Sequence, residues 1–275
     1  MWELLLRNKK FMISAGVAIF VVAFAVIGSI FSRDPTRRYG APYQPPSSEF
    51  ILGTDKLGED IFARLTVGTT TSIMIGLLAG TISIALAIFF GGIGPYKGGL
   101  SDTVTNLFTN VVLVFPMIPL LIILSAWFTQ RSLWLVGLLI GLVGWPWAAR
   151  AIRSQILSMK EREYVNLARI SGMKDRMILI KEVLPNLLAY LGTILVWAIG
   201  GAIMAEAGIS MIGLGPTNAV SLGNMLYWAL LNETFRLGYW WAYLPPGIIL
   251  TALMVALFMM HSAMDEVFNP RLRKM

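Results

Sequence analysis

The chain has 275 residues, 56% hydrophobic and 13% charged, and its 22 Lys and Arg against 15 Asp and Glu give a net charge of +7. Soluble domains carry about 25% charged residues, so a soluble fold is excluded together with disordered, collagen-like and disulfide-stapled classes. With no cysteine and one histidine, His261, there is no thiolate chemistry, no Cys/His zinc site and no bis-His haem ligation.

Six apolar stretches read in chain order as membrane-spanning helices, at 11–31, 72–93, 104–128, 133–149, 187–209 and 242–262. A span needs about 20 apolar residues, so five are long enough and the fourth is borderline. No period-two alternation runs through them, which makes the chain all-α and polytopic and excludes a barrel. Pro116 and Pro119 in the third, and Pro245 and Pro246 in the sixth, predict a kink or an irregular start. The first stretch follows Arg7, Lys9 and Lys10, as a secretory signal would. It is longer than a signal's apolar core and no A-x-A site closes it, so it reads as an uncleaved span.

Orientation follows from Lys and Arg. With the N-terminus in the cytoplasm, the inner segments hold Arg7, Lys9, Lys10 and Lys97. They also hold Arg150, Arg153, Lys160, Arg162, Arg169, Lys174, Arg176 and Lys181, then Arg271, Arg273 and Lys274. The outer segments hold only Arg33, Arg37, Arg38, Lys56, Arg64, Arg131 and Arg236. Both termini are expected inside, and the positive charge is a topology signal with no call for nucleic acid.

The loop 32–71 starts as an extended stretch with Pro35, Pro42, Pro45 and Pro46 and leads into a folded segment near Phe50. Gly53-Thr54-Asp55-Lys56-Leu57-Gly58-Glu59-Asp60 has the glycines of a phosphate loop, but Glu59 stands where its lysine belongs. Asp55, Glu59 and Asp60 suggest a paired-carboxylate or cation site. The favoured reading is a turn in which Asp55 caps a helix starting near Leu57. Within the spans the ionisable residues are Glu206 and His261. Proton or sodium coupling is the functional reading for an intramembrane carboxylate. Glu206 lies near the end of its span beside small residues, which favours an interfacial place or a hydrogen bond to a neighbouring helix.

Residues 150–186 are too polar to span. Ser158 and Glu161 form an S-x-x-E capping box for a short helix, Gly172 ends it, and a second helix is predicted from about 174 to 183. Such an elbow is either an amphipathic connection on the membrane surface or a rigid helix that docks in a groove of a cytoplasmic partner and carries its motion to the spans.

Arg162-Glu163-Tyr164-Val165, Ala168-Arg169 and Gly172, followed by Leu184-Pro185-Asn186, resemble the EAA coupling motif of ABC importer permeases. More narrowly, they resemble the C-type (second) permease of the oligopeptide/dipeptide/nickel family. Leu52-Gly53-Thr54-Asp55 through Leu57, Gly58, Asp60, Arg64 and Gly68 resembles that family's block before the second span. Tyr96, Gly98, Gly99 and Asp102 with Phe115, Pro116, Pro119 and Leu120 are similar to its third-span region. Glu206-Ala207, Ser210, Gly213-Leu214-Gly215 and the tail Asn269-Pro270-Arg271-Leu272-Arg273 match in order. The EAA triplet itself is replaced by Asn166-Leu167-Ala168. Thr69-Thr70-Thr71-Ser72 lacks a usual arginine, and the proline- and tryptophan-rich loop after the fifth span is reduced to Pro216 through Gly223.

The resemblance implies an N-terminus and first span at 1–31, a loop and pre-span helix at 32–71, and a core permease domain at 72–262 with elbow 150–186 and scoop-like outer loop 210–241. A tail at 263–275 completes it, in a multi-pass chain of a prokaryotic inner membrane. Its partners would be a second, homologous permease, two ATPase subunits, an external solute-binding protein and membrane lipid. The chain would hydrolyse nothing and bind no cofactor or metal, ATP and magnesium lying on the ATPases. Arg162, Glu163, Tyr164, Asn166, Leu167, Ala168, Arg169, Gly172, Met173 and Arg176 would form the ATPase-coupling elbow. Closure of the ATPases on ATP would draw two such elbows together and open the cavity outward.

Phe115, Pro116, Asn218, Tyr227, Trp228, Trp240 and Trp241 are candidates for the substrate path or entrance. The aromatics at 227–243 read as an interfacial belt or as stacking platforms for peptide side chains or sugar rings. Peptide is the first expectation for cargo and oligosaccharide the second. An ion-coupled carrier or channel is the reading from another class, and no constellation supports a membrane enzyme.

Overall fold

A computed structural model describes residues 2–268. The helices are α1 (Trp2–Arg7), α2 (Lys9–Phe31), α3 (Ile61–Ile88), α4 (Gly94–Lys97), α5 (Gly99–Val114), α6 (Met117–Ala126), α7 (Leu133–Met159), α8 (Glu163–Ile170), α9 (Asp175–Ile178), α10 (Leu184–Ser210), α11 (Leu222–Leu231) and α12 (Trp240–Phe268). Single π turns at Phe89–Ile93 and Leu179–Val183 join α3 to α4 and α9 to α10. Among the described residues there is no strand, only isolated bridges between Arg38 and Glu59 and between Thr54 and Asp60. The chain is all-α and polytopic, as expected.

Among the described residues five stretches are long and apolar enough to cross a bilayer: Lys9–Phe31, Ile61–Lys97, Leu133–Met159, Asp175–Ser210 and Trp240–Phe268. α5 and α6 supply a sixth span if the pair, bent by 79°, counts as one. The bend has a local cause. Pro116 offers no N–H and holds Phe115 extended at φ −80°, ψ 124°, so α5 stops at Val114. In α12, Pro245 and Pro246 stay within one helix.

α3 is the central helix, and small residues explain why. Without side chains at Gly76 and Gly80, the α3 backbone presses on Ile203 and Ile199 of α10. On its other flank Leu78 and Ile82 fill the spaces over Gly137 and Gly141 of α7, and Ser83 Oγ donates to Gly141 O at 3.1 Å. Lipid is as apolar as leucine, so close approach and dispersion do the holding here. α2 packs more loosely, burying only Ser14, Val21 and Ala25 against α3 and α12.

Three expectations are corrected. The fourth span is not borderline: α7 has 27 residues and continues beyond the apolar run through Arg150 and Arg153 to Met159. Ser158 therefore sits in the last turn of α7 and makes no capping box with Glu161. The N-cap of α8 is Arg162, extended and without a side-chain cap. At the opposite end Asp60, not Asp55, caps α3, its Oδ1 accepting from Phe62 N at 2.8 Å. Asp55 instead closes a turn by accepting from Leu57 N at 2.8 Å and Glu59 N at 3.0 Å. The motif at 269–273 lies outside the described residues.

Candidate functional site

The elbow is built on α8. Val165 is fully buried, and Tyr164, Ala168 and Met173 pack with it on Ile152 and Ile156 of α7, Ile178 of α9 and Val183. The opposite face carries Glu163, Asn166, Leu167 and Ile170, with Leu167 64% and Ile170 83% exposed. Arg162, Arg169 and Arg176 are exposed around it. Gly172 ends α8 at φ +78°, with Gly172 N bonded to Arg169 O at 3.0 Å and Met173 N to Ala168 O at 3.1 Å. That paired closure is a Schellman cap, and the left-handed residue in it is why glycine is needed. The result is a short helix fixed by one face, with two large apolar side chains on the other. Burial raises the pKa of the Tyr164 hydroxyl, which has no hydrogen-bond partner.

The loop end is a knot of turns over α3, α11 and α12. Gly53 and Gly58, at φ +73° and +78°, run so close to the carbonyls of Gln44 and Gly40 that a side chain at either would collide. Thr54 Oγ1 accepts from Gln44 N at 2.8 Å and donates to Ala41 O at 2.7 Å. Arg64, buried on α3, pairs with Glu59 and with Asp55, the latter at 3.5 Å. Burial raises the Asp55 carboxyl's pKa, against the pull of the Arg64 guanidinium. These carboxylates serve an internal ion pair. Among the described residues no group of three or more His, Cys, Asp or Glu can hold a metal.

Beside this knot is a cavity of about 160 Å³ lined by Tyr43, Asp55, Arg64, Trp228 and Asn232 among others. Of the seven candidate path residues only Trp228 lines it. Tyr227 is half-buried over Gly213, Trp240 and Asn218 are exposed, and Phe115 and Pro116 are exposed at the α5–α6 bend. Trp241 is buried, and its indole donates to Thr54 O at 3.3 Å, so it fastens the knot. Nearby, Arg131 ties the loop after α10, donating to Gly213 O at 3.1 Å and Gly215 O at 2.9 Å.

A family profile described as "Binding-protein-dependent transport system inner membrane component" matches residues 83–274. The chain belongs to this family. It is 30% identical over 99% of its length to a dipeptide transport system permease protein of Bacillus subtilis, covering 85% of that protein. An oligopeptide transport system permease protein of the same organism is 28% identical over 97% of this chain and 87% of its own length. One from Mycobacterium tuberculosis H37Rv is 30% identical over 98% of this chain and 93% of its own. The resemblance to a C-type ABC importer permease holds, and the chain is a multi-pass inner-membrane permease.

In this permease the structure brings together residues that no motif joined. Asp102 on α5 is gripped by Arg153 on α7, and Arg150 Nη2 donates to Asn110 Oδ1 at 2.9 Å. Tyr96 is buried in the same cluster as the elbow. Glu206 is fully buried and accepts from Ser72, Ser210 and Ser221, so the expected hydrogen bond to a neighbouring helix is present. His261 is half-buried, with Nδ1 3.1 Å from Thr193 O. Opposite charges at facing span ends, and serines around a lone intramembrane carboxylate, were the available signals.

Proposed function

We propose that this permease is the translocation subunit of an ATP-driven importer that takes up dipeptides or oligopeptides delivered by an external binding protein. The observation that carries the mechanism is the two-faced elbow. α8 sits on α9 and the π turn at 179–183, and its Val165, Tyr164 and Ala168 join a buried cluster that also takes in Ile152 and Ile156 of α7 and Leu187 of α10, while Leu167 and Ile170 stand out of the surface. A helix that is rigidly seated by one face and apolar on the other suits a groove in a partner. Movement of that groove is passed to α7 and α10 through packed side chains, which shift between discrete arrangements. The peptide cargo rests on the printed names of the relatives.

On this reading Arg162, Glu163, Asn166, Leu167, Arg169 and Arg176 face an ATPase subunit, and Tyr164, Ala168, Gly172 and Met173 shape the elbow that presents them. Two ATPases and a second permease complete the complex, ATP and magnesium bind on the ATPases, and this chain catalyses nothing. The Lys and Arg distribution supports both termini in the cytoplasm and the loop end outside, and the resemblance supports divisions at 31, 71 and 262. Phe115, Pro116, Asn218, Tyr227, Trp228 and Trp240 remain path candidates.

The test is uptake by the reconstituted complex in vesicles, with labelled peptides and oligosaccharides offered in parallel. ATP-dependent peptide uptake that needs the binding protein supports the proposal. Oligosaccharide uptake alone overturns the cargo, and gradient-driven uptake by this chain without ATPases overturns the importer.

A further inference from the structure

Among the described residues Glu206 is the one buried acidic residue within the five long apolar helices, and the serines around it come from three different places. Ser72 Oγ on α3 donates to Oε2 at 3.1 Å. Ser210 Oγ on α10 and Ser221 Oγ at the head of α11 each donate to Oε1 at 2.6 Å. Two of these serines also receive backbone N–H groups of α11. Leu222 N donates to Ser72 Oγ and Asn224 N to Ser221 Oγ, both at 3.1 Å. The first turn of α11 is thereby relayed through hydroxyls onto one carboxylate, at the positive end of that helix's dipole. No Lys, Arg or His among the described residues forms an ion pair with Glu206.

The surroundings allow no slack. A Cβ on Gly223 of α11 would lie 2.7 Å from Ala207 Cα and 2.7 Å from Ser210 Cβ, and one on Gly68 of α3 would lie 3.3 Å from Ser221 C. α11 therefore abuts both α3 and α10 at backbone distance, around a polar centre with no access to water. A buried carboxylate so placed is costly unless every bond is kept, which makes the junction all-or-none.

We propose that Glu206 is a positioning residue that locks the loop 211–221 and the head of α11 to α3 and α10, so that the outer loop moves as one body with those two spans. The proposal deepens the importer reading and rests on it for the consequence: elbow motion, carried by α10, reaches the outer loop through this carboxylate. The lock itself is a property of the chain alone.

Two measurements separate the two. The chain contains no cysteine, so single reporters report cleanly. Val220→Cys in the loop and Phe50→Cys in the knot, both at buried positions, are labelled with a membrane-impermeant maleimide in the full complex. Glu206→Ala is expected to raise labelling at position 220 by about tenfold, through local opening, and to leave position 50 protected. Glu206→Gln, which keeps the length and one accepting oxygen, restores most of the protection. No change at 220, or equal exposure at both positions, overturns the lock. In the second measurement Glu206→Ala is expected to bring the ratio of binding-protein-stimulated to basal ATP hydrolysis close to one, with assembly intact and Gln rescuing. An unchanged ratio overturns the coupling role. A complex whose native form shows no stimulation overturns the importer reading and leaves the labelling result standing.

Discussion

Arg153 on α7 closes on Asp102 on α5 as a two-pronged clamp, Nε to Oδ1 at 3.0 Å and Nη2 to Oδ2 at 2.8 Å. The planar fork of a guanidinium matches a carboxylate in this way and an ammonium does not. The side chains keep 30% and 21% exposure, so screening limits the pair to about 1 kcal/mol of coupling. The expected result is that Arg153→Lys and Asp102→Asn each lower the thermal midpoint in detergent, with little further loss when combined. A double-mutant cycle with zero coupling contradicts the clamp.

Gly172 is the next test. Nothing lies within 4 Å of a Cβ placed there, but φ is +78°, so the cost of a side chain is backbone strain alone. Gly172→Val is expected to cost about 1–3 kcal/mol at the cap and to change the angle at which α8 leaves α9. Uptake should fall while ATP hydrolysis and subunit assembly hold. Native-like uptake at normal expression removes the elbow from the coupling path.

Leu167 and Ile170 are exposed, so replacing them touches no packing of the chain itself. Leu167→Asp with Ile170→Asp should leave its thermal stability within about 0.5 kcal/mol and abolish co-purification of the ATPase subunits. Retained co-purification would show that α8 does not enter their groove.

The spans were legible because about 20 apolar residues in a row have few other uses, yet hydropathy marks lipid contact, not the end of a helix. Arg150 and Arg153 end the apolar run of the fourth span, whereas the helical bonds continue to Lys160 N, which donates to Ile156 O at 2.9 Å. Ser158 and Glu161 had the spacing of a cap but lay where the preceding helix had not finished. Asp55 and Asp60 look alike as caps in the sequence, because the turns at Gly53 and Gly58 decide which carboxylate meets α3. The Glu206 centre was hidden by distance along the chain: its serines lie 4, 15 and 134 residues away. The elbow was legible in outline, since Gly172 and the alternation of Val165 and Ala168 with polar neighbours are local signals.

Trp228 and Trp241 stand in the same aromatic run and should behave in opposite ways. Trp241 is buried against Gly53 and donates to Thr54 O, so Trp241→Ala removes packing and a bond and should cost about 3–5 kcal/mol. Trp241→Phe, which keeps most of the packing, should cost about 1 kcal/mol for the lost bond. Trp228 is half-exposed at the edge of the 160 Å³ cavity, so Trp228→Ala should leave the thermal midpoint nearly unchanged. Its effect, if the cavity lies on the entry route, is on the apparent KM for uptake and not on the amount of assembled complex. Thermal unfolding and uptake measured on the same preparations check both halves. A stable Trp241→Ala variant contradicts the knot, and a Trp228→Ala variant with unchanged uptake removes this residue from the path.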